Sequence, residues 1–141
     1  MTPERKRIVI AEHCGYKFVD DESGFSFYSP VKYANGTVKT EFQQSTHTGR
    51  RYSPDDEKHF LRVKANYVPN YPESLDAMHE AEKHLTDEQV LAYQADLIIT
   101  CVTMKKLFKS GREYPADGYM LHANSEQRSD CYCKAIGKWE E

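Results

Sequence analysis

The chain has 141 residues, a formal net charge of -3 and a pI near 6.1. That length suits a single domain, residues 1–141, able to bury roughly two-thirds of its unfolded surface. The acidic balance argues against a general nucleic-acid or anionic-membrane binder, and no apolar run approaches the roughly 20 residues of a membrane span.

Taken in chain order, Thr2 to Cys14 reads as a first helix: Thr2 caps, Pro3 suits the first helical position, and Ile8, Ala11 and Glu12 follow at helical spacing. Gly15 ends it. From Tyr16 to Gln43 the period changes to two, with FSFYS, VKYAN and TVKTEFQ as strand candidates. Asn35-Gly36 is the strongest hairpin signal, both residues tolerating the positive φ of a type I′ turn, so Val31–Asn35 is expected to pair with Thr37–Phe42. Asp20 to Gly24 is expected to be an exposed turn. Gln43 to Ser53 is polar and reads as a loop. SPDDEKHFL then has the grammar of a short helix, with Ser53 as cap, Pro54 at the first position and acids behind it. Arg62 to Tyr67 alternates and reads as a strand.

The stretch Tyr67–Leu85, YVPNYPESLDAMHEAEKHL, organises the chain. Pro69 and Pro72 hold Val68 and Tyr71 out of helical geometry and make the turn stiff. Ser74 is a natural N-cap with Asp76 in the first turn, and Leu75, Met78, Ala81 and Leu85 make one apolar stripe. Asp76, His79, Glu80, Lys83 and His84 form the polar face. Thr86 and Gln89 make a capping-box pair opening another helix, whose stripe Val90, Leu97, Cys101, Met104 and Phe108 runs to about Lys109. Its segment LIITCVT is rich in β-branched residues and has a strand as competitor, but the spacing holds on both sides of it. Gly111 to Gly118 reads as a loop and Tyr119 to His122 as a short strand. Asn124 with Gln127 caps the last helix, and Gly137 stops it so that Trp139 folds back on its apolar face. The elements together suit an α+β fold, an antiparallel sheet covered by helices.

Three blocks carry a resemblance. VPNYPESLDAMHEAEK resembles the Pro-Asx-aromatic turn and helix of the small bacteriophage proteins grouped as the phage ABA sandwich domain. LHANSEQRSDCYCKAIGKWEE is similar to that family's closing helix, and RIVIAEHCGY to its opening helix. The resemblance implies an α-β-α sandwich, and for a phage protein the host cytoplasm as location. The run TPERKR, lacking the apolar segment of a secretory signal, agrees with that expectation. Residues 43–62 and 105–117 have no counterpart in the family pattern and read as insertions.

Candidate chemistry is sparse. The four cysteines, Cys14, Cys101, Cys131 and Cys133, lack zinc or disulfide spacing and read as packed free thiols. Cys131 and Cys133 point about 200° apart on a helix, so no shared metal is expected. His79 and His84 are five apart, about 140° around the axis, which does not fit a zinc-protease helix. Glu80 and His84 are spaced for an exposed ion pair. The most suggestive segment is QQSTHTGRRYS: Gly49 lets backbone amides approach an anion, Arg50 and Arg51 are fork-shaped phosphate donors, and Tyr52 can stack on a base. A solvated basic turn is the plain alternative, since no phosphate-loop or dinucleotide fingerprint is present. Lys105, Lys106, Lys109 and Arg112 form a second basic cluster that helix solubility explains.

The expected activity is non-enzymatic. A tyrosine-rich, homo-oligomeric protein would sequester a small anionic, nucleotide-like ligand, such as a nucleotide signal of host defence, through His47, Arg50, Arg51 and Tyr52, with Tyr67, Asn70 and Tyr71 as a wall. No cofactor, metal or catalytic residue is assigned. The alternatives are a protein-interaction module acting on a host or phage protein, and a small metal-assisted nucleotide hydrolase using Asp76 with His79 or Asp117 with His122.

Overall fold

The computed structural model describes residues 1–21, 24–47, 54–108 and 123–141. The chain adopts the expected α+β class: among these residues are five helices and one three-stranded antiparallel sheet of order β1-β2-β3. Contacts gather into two compact units, Thr2–Asn70 and Tyr71–Glu141, the second taking in Met1.

In the first unit, α1 spans Pro3–His13 and starts as its cap grammar dictates, with the Thr2 hydroxyl accepting from the Arg5 amide at 3.3 Å. Ile8, Val9, Ile10 and Ala11 are buried, and so is Lys6, while Glu12 is exposed. Gly15 leaves the helix at φ 96°, a conformation that favours glycine. The sheet is β1 (Lys17–Asp20), β2 (Gly24–Lys32) and β3 (Val38–His47).

Three expectations are corrected here. First, FSFYS and the Val31-Lys32 start of VKYAN are one strand running through Pro30, while Ala34 and Asn35 belong to the hairpin loop. β1 covers β2 only from Phe25 to Tyr28, so at Pro30 the strand is bonded on one side alone and the missing N–H is tolerated. Second, the hairpin loop is three residues long. Gly36 donates to the Tyr33 carbonyl at 2.9 Å, Tyr33 donates to the Thr37 carbonyl at 2.9 Å, and Gly36 has φ 84°. That is a turn closed by a glycine bulge, with Asn35 Oδ1 accepting from the Thr37 amide at 3.1 Å. Third, residues 43–47 are strand. Ser45 pairs with Ser26 and Thr46 with Phe25, and the two serine hydroxyls meet at 3.1 Å, so the partner strand extends a segment whose composition reads as loop.

Helix α2 spans Pro54–Ala65, which also replaces the strand expected at Arg62–Tyr67. Its alternation is the chance overlap of a helical face: Phe60 and Lys64 are four apart, Ala65 adjoins Lys64, Phe60 and Ala65 are buried, and Phe60 meets Phe25 edge-on at 6.2 Å. The prolines are therefore approached by a helix and a turn rather than by an extended segment. α1 packs on α2, and the Arg7 guanidinium donates to the Val68 carbonyl at 2.8 Å, tying the turn to α1.

In the second unit, α3 (Leu75–Glu82) is capped by the Ser74 hydroxyl, which accepts from the Ala77 amide at 3.2 Å. Met78 and Ala81 are buried, whereas Leu75 is 43% exposed and Leu85 lies beyond the helix, so the expected stripe is only half used. α4 spans Asp87–Phe108, with Leu97 to Thr103 helical throughout. Both halves of its capping box form, Thr86 N–H to Gln89 at 2.9 Å and Gln89 N–H to Thr86 at 3.3 Å. α5 spans Ser125–Ala135 with the Asn124–Gln127 box in place, and packs against both α3 and α4. Gly137 follows it at φ 71°, and Lys134 Nζ lies 5.0 Å from the Trp139 ring centroid. The loop and short strand expected between α4 and α5 lie outside the described residues, as do Ser53 and residues 109–117 of the segment expected to be a second insertion.

Candidate functional site

In the first unit the sheet turns an aromatic cluster toward α2. Tyr67, in the turn after α2, lies 5.8 Å from the Phe25 ring and 5.3 Å from the Phe27 ring, while Phe18 lies 5.6 Å from Phe25. Alternation places Phe25 and Phe27 on one face of β2, and the helical spacing of Phe60 and Lys64 brings both to it. Lys64 is 14% exposed, pairs with Asp20 and lies 5.5 Å from the Phe25 ring centroid. Its ammonium is thus matched by a carboxylate and by ring faces.

The Tyr67 hydroxyl reaches the last part of β3, 3.3 Å from Thr46 Oγ1. Of the residues assigned to ligand binding, His47 is the final residue of β3, paired with Gly24 through the backbone, with its side chain outside the described residues. Arg50, Arg51 and Tyr52 lie outside the described residues altogether. Tyr67 is half-buried on the phenylalanine cluster, Asn70 is half-buried, and Tyr71 is buried at 3% exposure in the second unit. The structure therefore brings Tyr67 to the strand end that leads into the Arg50/Arg51 segment. Tyr71 is enclosed, so its ring is not an open stacking face.

The second unit holds a polar network that the sequence does not announce. Glu82, at the end of α3, accepts from Arg128 on α5 at 2.9 Å and from the Tyr93 hydroxyl on α4 through the same oxygen. Its other oxygen lies 3.2 Å from His79 Nδ1. Arg128 also donates through Nε to the Ala123 carbonyl at 3.1 Å, and the Tyr132 hydroxyl donates to the Ala81 carbonyl at 3.0 Å. Burial, then the Glu82 hydrogen bond, push the Tyr93 phenol well above the ordinary value of 10.0. The guanidinium is occupied by a carboxylate and a carbonyl, so the cluster ties three helices together and leaves its positive charge matched.

On the exposed face of α3, Glu80 takes Lys83 at 2.6 Å rather than the expected His84, and that contact lowers its carboxyl pKa. His79 turns to Glu82 and not to Asp76. Asp117 and His122 lie outside the described residues. Among the described residues no three His, Cys, Asp or Glu side chains gather as a metal site, and no helix is long and apolar enough to cross a membrane. The four cysteines are buried free thiols.

Lys64, Glu82, Tyr93 and Arg128 escape a reading by motif because their partners lie on other elements. The only sequence signal is the helical phase of Phe60 and Lys64, visible once α2 is known to run to Ala65. Comparison with protein-family models, with curated proteins and with solved structures finds no match to this chain.

Proposed function

We propose that the protein binds a small anionic, nucleotide-like ligand without transforming it, in the phage and host-cytoplasm setting that the family resemblance implies. The observation that carries this reading is the Thr46–Tyr67 hydroxyl contact of 3.3 Å. It anchors a strand end on a rigid aromatic base, and from that end the chain continues through His47 into the Gly49-Arg50-Arg51-Tyr52 segment. Paired guanidinium groups next to a glycine suit a phosphate, and Tyr52 suits a planar base. Stoichiometric capture would need no catalytic group.

Isothermal titration calorimetry with mono-, di- and cyclic nucleotides tests this, with chromatography of the ligand afterwards. Saturable heat with unchanged ligand is expected, and Arg50→Ala with Arg51→Ala together should weaken binding by roughly a hundredfold. Unaltered affinity in that double variant would reject the site. Converted ligand would favour a hydrolase, and a co-purifying protein without nucleotide heat would favour an interaction module.

A further inference from the structure

The sheet has two outer strands. β1 is four residues long, whereas β3 has ten residues without proline, and among the described residues nothing pairs with its outer edge. A long edge with unpaired amides and carbonyls is a template for another strand. Residues 38–45 are exposed apart from Glu41, which is half-buried, and Val38 and Phe42 are 61% and 55% exposed.

The hairpin sets which backbone groups face outward. Tyr33 donates to the Thr37 carbonyl, so Thr37 faces β2. By alternation Lys39 and Glu41 also bond inward, while Val38, Thr40 and Phe42 turn their N–H and C=O groups to the free edge. The ladder shift lies between Phe27 and Tyr28, beyond this stretch, so the phase holds from Val38 to Phe42.

We propose that β3 pairs antiparallel with β3 of a second copy of this chain, about a two-fold axis between the two Thr40 residues, to form a continuous six-stranded sheet. In this register Thr40 faces Thr40 of the other copy as a hydrogen-bonded pair. Val38 faces Phe42 twice, again at hydrogen-bonded positions, extending the Tyr28–Phe42 ring contact of 5.6 Å on the same face. Lys39 faces Glu41 twice, at the non-bonded positions where Cα atoms approach to about 4.5 Å. Self-complementarity of this kind is what an isologous interface requires. Centring the pairing on Lys39 or Glu41 instead sets like charges face to face, which disfavours those registers. Lys39 now lies 5.8 Å from the Tyr33 ring centroid, an exposed contact that is readily exchanged for a carboxylate. The Thr40 hydroxyl donates to the Gly15 carbonyl at 3.0 Å and leaves its backbone groups available. So short an interface implies a concentration-dependent dimer.

Sedimentation equilibrium of the full chain at low salt, with no ligand added, tests the pairing. The unaltered chain should dimerise with rising concentration. Lys39→Glu alone and Glu41→Lys alone each convert both opposed pairs to like charges, and should raise the dissociation constant by roughly tenfold or more. An equimolar mixture of the two single variants restores opposite charges at both positions and should recover dimerisation, as should the double exchange Lys39→Glu with Glu41→Lys. If either single variant does not fold, the double exchange decides: wild-type association supports the register, and loss of association rejects it. A chain that stays monomeric at about 100 μM, single variants that associate like the wild type, or a mixture that fails to recover would each overturn the proposal.

Discussion

Arg128 and Glu82 show what a charge costs and returns inside a helical unit. The Arg128 side chain is 9% exposed, its carboxylate partner is 21% exposed, and the carboxylate oxygen between Arg128 and Tyr93 accepts from both. Removing the carboxylate leaves the guanidinium largely enclosed, whereas removing the phenol deletes one donor from an otherwise matched pair. Glu82→Ala should therefore cost about 3 kcal/mol and Tyr93→Phe about 1 kcal/mol in urea unfolding, and equal losses would show that the pair is solvated. Tyr93 also sets a pH signature. Its pKa is raised by burial, then by Glu82, so the folded state keeps the proton longer than the unfolded chain. The stability this contributes is fully present below the unfolded value of 10.0 and is lost as pH rises from there toward the folded value. The stability gap between wild type and Tyr93→Phe should accordingly close above pH 10.0.

At the scale of elements, helix starts are the most local features and the most legible. Thr2, Ser74, Thr86 and Asn124 all cap as their side chains and spacing lead one to expect. A cap is decided within four residues, so it needs no knowledge of what the helix packs on. Asn124 makes a full capping box ahead of α5, the helix that touches both α3 and α4. Asn124→Ala should lower stability by about 1 kcal/mol, read as a fall in the urea midpoint with unchanged slope. Where elements end is less legible. α2 was readable at Pro54, yet its continuation to Ala65 depends on Phe60 meeting Phe25, and β3 reaches His47 because β2 begins at Gly24 opposite it. Neither partner is near in sequence.

At the scale of the whole molecule, the thiols report on both compact units. Cys14 is buried in the first unit, and Cys101, Cys131 and Cys133 in the second. Burial raises the pKa of Cys101 and Cys131, which further lowers the reactive thiolate fraction. A colorimetric disulfide reagent should find no fast-reacting thiol in the native chain and four in denaturant; a native burst of one equivalent or more would contradict this packing.

The candidate site divides along the same line. The chemistry of Gly49, Arg50, Arg51 and Tyr52 is legible from residue types alone, because donors and rings keep their character in any fold. That Tyr67 meets Thr46, that Tyr71 is enclosed, and that Lys64 finds Asp20 were decided only by long-range packing. The sequence by itself determined the α+β class, the helix starts and the places of the glycine turns, since these rest on periodicity and on groups a few bonds apart. The tertiary structure alone decided strand lengths and the pairing of buried charges, because each depends on a partner that folding brings from far along the chain.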